Sequence, residues 1–338
     1  MEVNKLNNKK ILFVTTKYFE YYKDMETVLR DKGASVTTFI DDPYQKYNAE
    51  FLSLRAGRKL KPWVIRKYEQ GILKKIKGQD FDYIFFVRGS ALLSHSFLSA
   101  LKALYPQTPF LLYEWDSINN FNYLPFTHYF DSVLTFDYKD STDHRFHYLP
   151  LFALMHFFET KDKPMSERKI DFTILGYGRK HRLITGTEIV RQCEAQQRSY
   201  LFKLYEPWVW FFVSNFLAEK LSFVKKVMRW SNNFKGITFV SIPKNKWKEI
   251  LADTRIVVDL PHPAQTGLTI RTFEALASGC HLWTTNVNIK NESFYNPENI
   301  TIFDAEQFVL PPVPEDNKQS FSGFSLSSWI DNIFKTVK

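Results

Sequence analysis

The stretch Val258-Asp-Leu-Pro-His-Pro-Ala-Gln-Thr-Gly-Leu-Thr-Ile-Arg-Thr-Phe-Glu-Ala-Leu-Ala-Ser-Gly279 decides the reading of this chain. An apolar, β-branched run ends at Leu260 and reads as a buried strand. A loop punctuated by Pro261, Pro263 and Gly267 follows. Ile270 to Ala277 then reads as a short helix, ended by Gly279 at the position where a left-handed residue closes a helix. Strand, loop and helix N-terminus in this order present backbone N–H groups to an anion such as a diphosphate. Thr266 and Thr269 add hydroxyls and Arg271 a permanent charge. Glu274 lies about two helical turns beyond the loop. A carboxylate there can accept both hydroxyls of a ribose, and an exposed cleft position is expected for it.

Outward from this stretch, the chain alternates strands and helices. Short apolar runs at Ile11–Thr15, Val36–Ile40, Tyr83–Val87, Phe110–Tyr113 and Ser132–Phe136 are separated by helical sequence at 21–32, 63–77 and 94–104. The rhythm restarts after residue 150, with strands at 170–175, 237–240, 256–260, 282–284 and 300–303 and helices to about 195, at 246–252, at 270–277 and at 327–337. Glu159 to Lys169 is charged, contains a Pro, and reads as a linker or edge loop. Alternation at this spacing predicts parallel, doubly wound sheets whose ligand loops lie at the strand carboxyl ends. The fold class is therefore α/β, with two Rossmann-like domains facing a cleft. The expected domains are an acceptor-side domain at 1–155 and a nucleotide-sugar-binding domain at 156–320. The final helix at 321–338 is expected to pack back toward the first domain.

The bulk properties agree. With 338 residues, two domains of the usual ~100–200 residues are the natural division. The formal charge of +9 attracts polyanions, but the basic residues are scattered through folded segments and no zinc-finger spacing exists, so nucleic acid is not an expected partner. Cys193 and Cys280 form no paired motif, which fits a reducing compartment. The start of the chain has no signal-peptide pattern, and no run reaches the ~20 apolar residues that span a bilayer. A cytoplasmic location is expected. Trp208 to Trp230 interleaves aromatic residues with Lys220, Lys225, Lys226 and Arg229, which suits either a core helix pair or peripheral contact with the anionic inner membrane.

The run Gly267-Leu-Thr-Ile-Arg-Thr-Phe-Glu274-Ala-Leu-Ala-Ser-Gly279 resembles the donor-site signature of GT-B glycosyltransferases, which carry a Gly-Leu loop, then Glu-Ala-(Leu/Met)-Ala-x-Gly, then a strand. With Thr284-Thr-Asn286 and Phe294-Tyr-Asn-Pro-Glu-Asn-Ile300 it resembles bacterial surface-polysaccharide transferases, close to the CgeB-like "glycosyl transferases group 1" set. The resemblance implies that Glu274 holds the donor ribose and that Gly267, Leu268 and Thr269 meet the diphosphate; Gln265, Thr266 and Arg271 are donor-side candidates by position. Retaining enzymes of this kind often carry a second Glu eight residues earlier. That position is Thr266 here, so retention is not supported and inversion is mildly preferred.

Other residues are candidates by position. Gly176-Tyr-Gly178 and the cations after it, Lys180 and Arg182, follow the first strand of the second half, and Arg182 is the first choice to face the donor. His262, between two prolines, is a further donor-side candidate. Glu114-Trp-Asp116 follows a first-half strand. Asp116 is the candidate base for the acceptor hydroxyl, with helix capping as its structural alternative. Glu114 and then His95 compete with it. Arg88, also at a strand end, is an acceptor-side candidate. No Asp-x-Asp and no metal-ligand spacing occurs, so no cofactor and no obligatory metal is expected. The resulting expectation is a transferase that moves a sugar from a nucleotide sugar to a glycan or lipid-linked acceptor of lipopolysaccharide or capsule. A non-catalytic nucleotide- or carbohydrate-binding protein and a nucleotide-sugar epimerase are the alternatives.

Overall fold

A computed structural model describes residues 5–17, 20–41, 55–88, 94–206, 236–316 and 320–337. The chain divides into two compact units. One comprises Met1–Leu151, Ala264–Gly267 and Leu326–Lys338; the other comprises Phe152–Pro263 and Leu268–Ser325.

The first unit is built on a six-stranded parallel sheet: β1 (Lys10–Thr15), β2 (Ser35–Ile40), β3 (Tyr83–Arg88), β4 (Phe110–Glu114), β5 (Ser132–Thr135) and β6 (His147–Tyr148), in the order β2-β1-β3-β4-β5-β6. Its helices are α1 (Tyr21–Asp31), α2 (Arg55–Ile76), α3 (His95–Leu104) and α4 (Tyr138–His144). The central strands carry unbroken apolar runs, Ile11–Val14, Ile84–Val87 and Phe110–Tyr113, because both faces of the sheet are covered. Side chains alternate across the pleat. Leu12, Val14, Ile84, Phe86, Phe110 and Leu112 pack with Ile72, Ile76, Phe97, Leu98 and Leu101 of α2 and α3.

The second unit repeats the plan. Its strands are β7 (Ile170–Tyr177), β8 (Tyr200–Tyr205), β9 (Ile237–Thr238), β10 (Thr254–Asp259), β11 (His281–Thr284) and β12 (Ile300–Ile302). They run parallel in the order β12-β11-β10-β7-β8-β9. The helices are α5 (Met155–Phe158), α6 (Lys180–Ala195), α7 (Lys244–Ala252) and α8 (Ile270–Ala277). Phe172, Ile174, Ile256, Val258 and Trp283 of the sheet pack with Ile189, Val190 and Cys193 of α6. The chain closes with α9 (Leu326–Lys335), which groups with the first unit. Its buried face, Leu326, Trp329, Ile330, Ile333 and Phe334, has helical spacing, and Trp329 and Phe334 meet Tyr113, Phe85 and Tyr83 of the first sheet.

Two expectations change. The strand β8 was not expected, although Phe202 and Leu204 alternate into the core with Lys203 outside. The charged run 159–169 is not a solvated linker throughout, because Arg168 is only 1% exposed. Its guanidinium donates to the carbonyls of Leu251, Thr254, Ser278 and Lys163 at 2.8–3.2 Å and contacts the Cys280 sulfur. A permanently charged side chain survives burial when its donors are met in this way. The aromatic segment 208–230 lies outside the described residues.

Candidate functional site

In an open parallel sheet, ligands bind beyond the strand carboxyl ends where the strand order reverses. In the second unit that point lies between β7 and β10. Arg182, in the first turn of α6, bridges it: Nε donates to the Leu260 carbonyl at 2.7 Å and Nη1 to the Tyr177 carbonyl at 3.3 Å. Gly176 leaves room for this guanidinium, since a Cβ there would stand 3.0 Å from Nη1. Lys180 is exposed at the start of the same helix, and His262 is exposed with its ring 6.2 Å from that of His181. Burial holds the His181 pKa below its ordinary value, helped by the neighbouring Arg182 charge.

The start of α8 is built on Asp259, a buried carboxylate at the end of β10. It accepts the hydroxyls of Thr269 at 2.8 Å and Thr272 at 2.9 Å. Thr269 also caps the helix, taking the Arg271 N–H at 3.2 Å. Burial raises the Asp259 pKa; the Thr269 bond and the Arg182 charge oppose that shift. The Thr269 hydroxyl therefore orders the helix start. Leu268 is buried beside it. Gly279 has φ +71, and the Cys280 N–H reaches back to the Ala275 carbonyl, so the helix ends on the left-handed residue expected there.

Glu274 corrects an expectation. It is not an exposed cleft carboxylate but is 1% exposed. Its Oε2 accepts the Trp247 indole N–H at 2.7 Å and Arg271 Nη1 at 2.6 Å. The Arg271 guanidinium lies 3.8 Å from the centre of the Trp247 ring, so the three side chains are in mutual contact. The sequence reading omitted Trp247. Its signal was an indole on an amphipathic helix that leads into the ligand-facing strand.

Thr266 and Gly267 belong to the segment that groups with the first unit. Their N–H groups each donate to Asp137 Oδ2 at 2.9 Å, and the Thr266 hydroxyl donates to Asp137 Oδ1 at 2.5 Å. The same carboxylate caps α4 through the Lys139 and Asp140 N–H groups. In this structure these loop amides, expected to face a diphosphate, are taken by the Asp137 carboxyl group. Gln265 donates to the Gly267 carbonyl at 3.3 Å.

In the first unit the strand order reverses between β1 and β3. Arg88 at the end of β3 and Glu114 at the end of β4 are register partners on one face. Arg88 Nη2 stands 3.5 Å from Asp41 Oδ2, beyond the end of β2. Arg88 and Glu114 are each 1% exposed. Among the described residues, Arg88 Nε and Nη2 and Glu114 Oε2 make no hydrogen bond. Burial pushes the Glu114 pKa well above its ordinary value; Arg88 opposes the shift, and Asp116, Asp41 and Asp140 reinforce it. Asp116 is half-buried, and its Oδ1 accepts the Ser117 N–H at 3.1 Å and the Asn120 amide at 2.7 Å, as a turn-capping residue would. His95 stacks on Phe126 at 4.4 Å, in a patch with Tyr129.

Among the described residues no group of three His, Cys, Asp or Glu is placed to hold a metal, and no helix is long and apolar enough to cross a membrane. No family model matches the chain, and no curated relative matches it. Solved structures do. An "alpha-glucosyltransferase in complex with UDP and a 13-mer DNA containing a central A:G mismatch" aligns over 97% of this chain and 90% of its own, with TM-score 0.55 and 11% identity. A "lipopolysaccharide outer core galactosyltransferase WaaB apo form" aligns over 97% and 99%, with TM-score 0.52 and 12% identity. At these identities the likeness establishes the fold: two Rossmann-like α/β units in tandem, the GT-B architecture.

Proposed function

We propose that this chain is a glycosyltransferase that moves a sugar from a nucleotide-activated donor to a hydroxyl of a bacterial surface glycan or lipid-linked acceptor, without an obligatory metal. One observation carries the reading. Arg271 and Glu274 are held together one turn into α8, immediately beyond the Gly267-Leu268-Thr269 loop and on the carboxyl side of the second sheet. The fold, shared with an α-glucosyltransferase and a lipopolysaccharide galactosyltransferase, supports it. In this reading Glu274 accepts the ribose hydroxyls and Arg271 neutralises the diphosphate. Lys180, Arg182 and His262 add positive or hydrogen-bonding character near the β7 and β10 ends. Cations and helix-terminal N–H groups take the place of a metal at the leaving diphosphate.

The acceptor-side carboxyl groups are Asp116 and Glu114. The base takes the proton of the acceptor hydroxyl as its oxygen attacks the anomeric carbon and the nucleoside diphosphate departs. Inversion is the preferred outcome, and lipopolysaccharide or capsule the preferred destination. Contact with the inner face of the cytoplasmic membrane belongs to the same reading.

Thermal shift against a panel of nucleotides and nucleotide sugars tests the donor site, since a ligand at a hundred times its Kd adds about 2.7 kcal/mol. Loss of the Glu274 carboxylate is expected to weaken the bound nucleotide by about ten- to a hundredfold in Glu274→Ala and by less in Glu274→Gln. A 2′,3′-dideoxy nucleotide should bind the wild type poorly and respond little to either change. Normal nucleotide binding by both variants overturns the donor assignment. Turnover should survive EDTA; loss that Mg²⁺ or Mn²⁺ restores overturns the metal-free reading. Nucleoside diphosphate released only with acceptor marks transfer. Binding without release marks a binding protein, and an altered sugar still on its nucleotide marks an epimerase.

A further inference from the structure

Glu274 is closed off in the structure by the residue three positions before it. A carboxylate oxygen has two lone-pair directions, and Glu274 Oε2 already accepts two donors, Trp247 Nε1 at 2.7 Å and Arg271 Nη1 at 2.6 Å. A ribose diol that engages both carboxylate oxygens must take over part of this arrangement. Trp247 is buried and fixed in α7, whereas the Arg271 side chain keeps 23% exposure and lies over the indole at 3.8 Å. Of the two donors, Arg271 is the one able to move.

The electrostatics of the position point the same way. Arg271 stands in the first turn of α8, where the helix field favours anions and disfavours a cation. The contact with Glu274 and the face of Trp247 hold it there. An arriving diphosphate supplies a second counter-ion on the side the helix field favours.

We propose that the donor ribose and Arg271 compete for the Glu274 carboxylate, so that nucleotide binding passes the Arg271 guanidinium from Glu274 to the diphosphate. Trp247 is then a positioning residue: its N–H fixes Glu274 while its ring carries the guanidinium in the unliganded protein. The inference rests on the donor reading given above and adds an exchange of partners within it. Nucleosides, which bring the ribose without the phosphates, displace Arg271 and offer it nothing. Nucleoside diphosphates displace it and receive it.

The test compares full-length wild type with Arg271→Met for two ligands of each base, the nucleoside and its diphosphate, across uridine, guanosine, adenosine and cytidine. For the base that binds, Arg271→Met should bind the nucleoside roughly three- to tenfold more tightly and the diphosphate about tenfold more weakly, opposite in sign. Arg271→Lys, which keeps a cation but not the planar stack, should show the nucleoside gain with a smaller diphosphate loss. Diphosphate binding should also change the indole emission that Trp247→Phe removes. If Arg271→Met weakens nucleoside and diphosphate alike, or leaves the nucleoside unchanged, the exchange is overturned while the donor site stands. If no diphosphate binds wild type, or Glu274→Gln and Glu274→Ala bind as wild type does, the donor reading fails, and the exchange with it.

Discussion

Arg168 and Arg88 are equally buried, at 1% exposure, and opposite in their surroundings. Arg168 in the second unit is surrounded by backbone carbonyls from three stretches of chain, all within hydrogen-bonding reach. Arg88 in the first unit faces carboxyl groups, with Asp41 at 3.5 Å and Glu114 beside it in register, and two of its nitrogens make no hydrogen bond among the described residues. The first arrangement fixes a cation as part of the framework. The second balances charge without completing its hydrogen bonds, and it does so at a reversal of strand order, where α/β sheets place their ligands. Burial alone therefore does not separate these two arginines; the completeness of the partner set does.

The largest expected effect is at Arg168. Arg168→Met keeps much of the volume but leaves several buried carbonyls without a donor, so the second unit should lose about 4 kcal/mol or more, read from its urea midpoint. A loss under about 1 kcal/mol would erase the distinction between the two sites. At Arg88 the effect should depend on its partner. Arg88→Met alone removes the cation that stands 3.5 Å from the buried Asp41 carboxylate and should cost about 3 kcal/mol. The double change Asp41→Leu with Arg88→Met removes both charges and should lie within about 1 kcal/mol of wild type, because an apolar pair of similar volume replaces an ion pair that is costly to desolvate. A double variant as damaged as Arg168→Met would show that Arg88, too, belongs to the framework.

The smallest effect is a pH dependence at Glu114. Burial raises its folded pKa well above the ordinary value. Between those two values the unfolded chain has released a proton that the folded chain still holds, so stability falls as pH rises through the window. Glu114→Gln removes this dependence. The variant should match wild type at about pH 4 and be the more stable of the two at about pH 8, as denaturation at both values would reveal. Equal pH slopes would mean that Glu114 is ionised in the fold, and that Arg88 has a full carboxylate partner after all.

Much of the fold was legible because parallel strands and amphipathic helices impose different periods on the sequence. The run Ile84 to Val87 is apolar at every position since both of its faces are covered, and α9 shows its buried side at helical spacing. What escaped were partnerships made across the chain. Arg168 sits in a charged run and looks solvated, because three of its acceptors are carbonyls 83, 86 and 110 positions away, and carbonyls leave no trace in side-chain sequence. Glu274 was expected to be exposed, but it is buried against Trp247, 27 positions earlier, a pairing that local spacing does not reveal. Asp137 was not singled out: it caps α4 and also holds Thr266 and Gly267, about 130 positions on, which local spacing does not reveal.

The carbonyl cage of Arg168 also encloses a sulfur atom. Cys280 touches the guanidinium, Cys193 lies on the buried face of α6, and both thiols are buried with their pKa pushed up to about 11. The chain has no other cysteine, and both of these lie in the second unit. A buried thiol reacts with an alkylating reagent only when the structure around it opens and the thiolate forms. Labelling rates in the native protein thus time the opening of one half of the molecule while the other half stays silent. The chain carries its own clock for the second unit, two native thiols readable by mass spectrometry without an engineered label.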